Sequence, residues 1–178
     1  MAARWKRNRP DRLDRLAQAI ELLGDHDRNL VDESTRAGHL RVRGATDLHA
    51  ICRAFVGALN EKLSKPAVLL DPAEYSGDRY NDGAPCLFQI NLRGRLLQLE
   101  FEATGELYSR EDFRRPYVLC GAVRSFNQEL LDHDTIGEKA IFYCPEKEDG
   151  HWYYFDSRTY RTGRLTQDFL IAELQKLL

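Results

Sequence analysis

Cysteine is sparse and scattered. Cys52, Cys86, Cys120 and Cys144 form no Cys-x-x-Cys pair, which excludes the common zinc-site spacings. Each lies in an apolar stretch, so reduced, buried thiols and no disulfide are expected. No apolar run approaches the roughly 18 residues that a membrane-spanning helix needs, and no signal-peptide pattern opens the chain. These absences predict a cytoplasmic protein with no membrane partner. Gly-x-Gly-x-x-Gly and the Gly-x-x-x-x-Gly-Lys phosphate loop are absent. The five histidines show no metal-ligand spacing. Neither sign of charge dominates, with 26 Lys and Arg against 28 Asp and Glu, so nothing draws the whole chain toward nucleic acid. Internal repeats and low-complexity tracts are also missing.

What is there suits one domain, 1–178, with a single sizeable core: 178 residues, 43% of them hydrophobic. Residues 1–9 form a basic arm, with Arg4, Lys6, Arg7 and Arg9 and no acid. Pro10 suits the first turn of a helix in which Leu13, Leu16, Ala17, Ile20 and Leu23 share a face, and Gly24 is placed to stop it. Residues 25–45 are polar and read as a loop with a short strand at "HLRVR". A second helix over 46–64 carries a wide apolar stripe from Leu48 to Leu63, and Pro66 ends it. His49 falls on its polar side. "AVLL" (67–70) reads as a buried strand, followed by a long loop to Pro85.

The stretch "CLFQINLRGRLLQLEFEA" predicts a hairpin. Arg93-Gly94 between two alternating runs marks a two-residue turn. That turn pairs Leu92 with Arg95, Ile90 with Leu97, Phe88 with Leu99 and Cys86 with Phe101. A one-residue slip would bury the polar set, so the register is specified. Further on, Pro116, Leu119, Val123, Phe126 and Leu130 fit a helix over 116–131, with a strand over "YVLCGAV" as the alternative because of Gly121. Strands follow at "KAIFYC" and "HWYYFDSRTY". "TQDFLIAELQKLL" is a helix with Thr166 as its cap. The expected fold is α+β: a central, mainly antiparallel sheet of about five strands with N-terminal, middle and C-terminal helices.

Glu100 and Glu102, two apart on one strand, share a face. Two carboxylates and a third from a nearby loop, Asp82, suit Mg²⁺, a cation that takes oxygen ligands. An Asp, a hairpin, then acid-x-acid after a helix resembles the PD-(D/E)xK nuclease family. The resemblance implies a Mg²⁺-dependent nuclease with Asp82, Glu100 and Glu102 as catalytic residues. Asp82 and Glu100 would hold the metal, with Glu102 where the family usually has lysine and Glu61 as an accessory acid. Arg93 and Arg95 would then bind the phosphates of a nucleic acid.

The C-terminal hairpin is similar to that of papain-like cysteine proteases. That resemblance implies Asp156 as an orienting acid and Cys86 or Cys120 as nucleophile. The histidine expected near Lys139 or Ala140 is missing, so an inactive relative is implied. The main alternative to the nuclease, ahead of the protease-like fold, is a non-catalytic interaction or regulatory module that binds a protein partner through an aromatic hairpin face bearing Trp152 and Tyr154. Against it stands a plain core strand with Trp152, Tyr153, Tyr154 and Phe155 split two to a face.

Overall fold

A computed structural model describes residues 11–127, 137–147 and 149–178. The basic arm 1–9, Pro10, Leu130 and His133 lie outside them. The α+β class holds, but the described sheet has seven strands rather than about five. Helix α1 (Arg12–Lys62) precedes β1 (Val68–Asp71), β2 (Cys86–Leu92), β3 (Arg95–Ala103), β4 (Leu119–Phe126), β5 (Gly137–Glu146), β6 (Asp149–Asp156), β7 (Arg161–Arg164) and α2 (Gln167–Gln175). The strands run antiparallel as an uninterrupted meander in chain order. The chain divides into two compact units, one ending at Arg36 and one spanning Ala37–Leu178.

The polar stretch 25–45, expected as a loop with a strand, is helical throughout. No proline interrupts the chain between Pro10 and Pro66, and helix-compatible residues outweigh the two glycines of that stretch, Gly38 and Gly44, which each cost about 1 kcal/mol. Gly44 is not a break but a contact. A Cβ there would stand 2.8 Å from the side chains of Leu119 and Tyr143. Trp152 uses the same close approach to donate its indole N–H to the Gly44 carbonyl at 2.7 Å.

The hairpin forms as the pattern predicts: Leu92 opposes Arg95, Ile90 opposes Leu97, Phe88 opposes Leu99 and Cys86 opposes Phe101. Arg93 and Gly94 both have positive φ, 51° and 88°, the geometry of a tight two-residue hairpin turn. The described part of 116–131 is strand β4, not a helix. Leu119, Val123 and Ser125 alternate inward. Gly121 lets β4 lie close on β3, since a Cβ there would stand 2.0 Å from the Glu100 carbonyl oxygen. β7 is the other strand not anticipated. It follows a turn in which Asp156 accepts the N–H groups of Arg158 and Thr159.

The main core lies between one sheet face and the helices. Leu48, Cys52 and Phe55 of α1, with Leu170 and Leu174 of α2, pack against Phe88, Leu99, Ile141 and Trp152. A smaller cluster of Phe113, Tyr117, Phe142, Cys144 and Tyr153 covers part of the other face. The aromatic strand therefore splits two and two. Trp152 and Tyr154 join the main core, whereas Tyr153 and Phe155 join the second cluster. His49 is buried, not solvated. It packs edge-on to Phe88 and donates Nε2–H to the Pro72 carbonyl at 2.8 Å.

Candidate functional site

The predicted acidic residues fall in two places. Glu100 and Glu102 share the outer sheet face, on a shallow groove of about 580 Å³ with Cys120, Arg124 and Glu138. Arg124 answers Glu100, its Nη1 2.6 Å from the carboxylate, while its Nε reaches Glu138 at 2.9 Å. Hydrogen bonds to Glu138 and Glu100 hold the Arg124 guanidinium above its ordinary range. Asp82 does not line that groove. Its carboxylate accepts from Arg41 Nη1 at 3.0 Å, and Arg41 reaches it from α1. Arg41 itself is buried and also donates to the carbonyls of Val118, Thr104 and Glu106. It ties the Asp82 loop to the segment after β3.

Among the described residues, no group of three His, Cys, Asp or Glu stands together as a metal site. The donor set therefore does not fit the Mg²⁺ that the nuclease resemblance implies. Glu100 already has a cation, and Asp82 is committed to another.

The residues of the cysteine-protease resemblance are placed as follows. Lys139 on β5 reaches Asp156 on β6 at 3.6 Å and Glu173 of α2 at 2.6 Å. Lysine thus occupies the place where a base was sought. Burial opposes its charge, but the bond to Glu173 holds the ammonium above its ordinary range, so it is no proton acceptor. Burial works against Asp156 too, yet N–H donation from Arg158 and Thr159 keeps its carboxyl below the usual range. Burial raises the Cys86 and Cys120 thiols and pushes Cys52 and Cys144 up to about 12. None is poised as a thiolate nucleophile.

Arg93 and Arg95 sit at the other end of the hairpin from Glu102, on a different groove. It has a volume of about 500 Å³ and lies between the C-terminal end of α1, the β2–β3 turn and α2. Leu59, Leu63, Leu92, Ile171 and Leu178 give it apolar walls. Asn60 fixes two of its lining residues, Ala67 and Val68: its amide accepts from their N–H groups and donates to the Val68 carbonyl, which folds β1 back against the helix. Leu63, Ile171 and Leu178 remain exposed. Among the described residues neither arginine side chain has an ion-pair partner, and Arg95 Nε is buried with no acceptor. A buried donor of this kind normally has one.

The aromatic residues expected to meet a partner are used internally. Trp152 is buried, and Tyr154 stacks on Phe169 with ring centres 4.6 Å apart. Sequence reasoning missed Arg41, Arg124 and the two helix ends that complete the Arg93–Arg95 groove. Their only signal in the sequence was apolar residues running to the last turn of each helix. No family of known proteins, no curated protein and no solved structure matches this chain. No helix of the described residues is long and apolar enough to cross a membrane.

Proposed function

We propose that the chain is a non-catalytic interaction module, and that the Arg93–Arg95 groove receives an apolar segment of a partner protein that carries a carboxylate. The observation that carries this reading is Arg95. Its side chain lines a mainly apolar groove, and its Nε is buried without an acceptor among the described residues. An apolar chain would fill the groove, and a carboxylate would accept from the guanidinium fork, which matches it two bonds at a time. Arg93, held in the adjacent hairpin turn, lines the same groove and adds a second guanidinium beside it.

The test uses 1-anilinonaphthalene-8-sulfonate, an apolar ring system with one anionic group, titrated into the full chain and followed by fluorescence. The groove predicts saturable binding that weakens about tenfold in Arg93→Asn/Arg95→Gln and is lost in Leu63→Glu. Binding unchanged in both variants would overturn the assignment.

A further inference from the structure

Among the described residues, the unit that ends at Arg36 carries an exposed apolar seam. Leu13, Leu16, Ile20, Leu23 and Leu30 are each between 46% and 71% exposed. They recur at intervals of three, four, three and seven residues. This is a heptad pattern with Leu13, Ile20 and Asp27 at a and Leu16, Leu23 and Leu30 at d. Three of the flanking e and g positions in the middle of the seam are small, Ala17, Ala19 and Gly24, which lets a second helix approach closely there.

We propose that this seam pairs with the same seam of a second copy, antiparallel, as a two-stranded coiled coil. Two observations choose the orientation. A parallel, in-register pair would set Asp27 against Asp27 at an a position, two like charges in the seam. The antiparallel pair sets a against d instead: Leu13 meets Leu30 of the second copy, Ile20 meets its Leu23, and Asp27 meets its Leu16 at the two ends of the seam, which keeps the two like charges apart. The same arrangement brings Arg12 and Glu33, both at g, alongside each other twice by symmetry. Neither has an ion-pair partner within the chain among the described residues. The area is sufficient. Five exposed side chains from each copy bury roughly 100 Å² apiece, on the order of 1,000 Å² in total, the lower bound for a specific interface. The overlap of 18 residues spans about 27 Å of helix.

Sedimentation of the full chain over a hundredfold range of concentration tests this. A monomer–dimer equilibrium is expected, shifted to monomer by about a hundredfold in Leu16→Asp/Ile20→Asp, with helix content of the monomer retained by circular dichroism. Arg12→Glu should weaken the dimer severalfold, and Arg12→Glu/Glu33→Arg should restore it. Leu13→Gln/Leu30→Gln gives a milder second disruption if the first variant fails to fold. A chain that is monomeric throughout overturns the proposal, as does a dimer indifferent to the seam variants or a charge swap that fails to restore. A monomer that sediments with phosphatidylserine vesicles would reassign the seam to a membrane surface.

Discussion

Glu100 on β3 and Arg124 on β4 form an ion pair across the outer sheet face, 2.6 Å between Oε2 and Nη1. The two residues are not directly opposite; Ala122 faces Glu100 and Gln98 faces Arg124, so the guanidinium reaches diagonally. It then spans to Glu138 on β5. This one side chain supplies a cation to Glu100 on the face where a metal would have to sit.

The first prediction follows from that pair. Both partners are more than a third exposed, so Glu100→Gln should change stability by less than about 1 kcal/mol. Millimolar Mg²⁺ or Mn²⁺ should leave the unfolding midpoint unmoved, because an ion that does not bind the native state cannot stabilise it. Thermal unfolding of the wild type and Glu100→Gln/Glu102→Gln, with and without metal, measures both. A metal-induced rise of several degrees, lost in the double variant, would restore the Mg²⁺ site.

Arg41 should matter far more. It is 8% exposed and donates to three backbone carbonyls as well as to Asp82. Arg41→Met would leave those carbonyls without their donor and should cost about 2–4 kcal/mol. Arg41→Lys should recover little, since an ammonium lacks the planar fork that reaches several acceptors. Asp82→Asn should cost less than about 1 kcal/mol, because that carboxylate is half in solvent. Urea titration of the three variants ranks them.

Two glycines of α1 should respond in opposite directions. Gly24 has nothing within 4 Å of an added Cβ, so Gly24→Ala should gain up to about 1 kcal/mol of helix stability. Gly44→Ala would place its methyl 2.8 Å from Leu119 and Tyr143. Overpacking there should outweigh the propensity gain and cost about 1–3 kcal/mol. Helix content and unfolding midpoints of the two variants check the signs.

Acid should unfasten the end of β5. A hydrogen bond from Tyr153, together with His151, Arg164 and Arg115, holds the Glu146 carboxyl below its ordinary range. A group with a depressed folded pKa stabilises the fold above its unfolded pKa, about 4.3 for glutamate. That contribution is lost as pH falls through the folded value. Glu146→Gln should therefore be less stable than wild type at pH 7, and the difference should vanish toward pH 3. Urea midpoints measured across that range test it.

What the sequence made legible was local. The β2–β3 register followed from alternation and a two-residue turn, both contained within 18 residues. The split of Trp152 to Phe155 between two faces followed from the same period. β4 was obscured because Leu119, Val123 and Phe126 also fit helical spacing, and only its pairing with β3 decides for the strand. The Glu100–Arg124 pair was hidden by the same ambiguity, since a helix would not align Arg124 with β3. Residues 25–45 looked like a loop because they are polar. Exposed helix is polar too, and nothing in a single sequence separates the two. The Arg93–Arg95 groove joins the ends of α1, the hairpin and α2, more than a hundred residues apart in the chain, so no local pattern announces it.

The measurement to make is amide and methyl NMR of the full chain during titration with anilinonaphthalene sulfonate. Binding in the groove predicts shifts concentrated at Leu63, Leu92, Ile171 and Leu178, with the Arg95 Nε–H resonance among the largest. Shifts confined to Leu13–Leu30 or to the outer face around Glu100, with Arg95 unmoved, would contradict the assignment of the groove as the binding site.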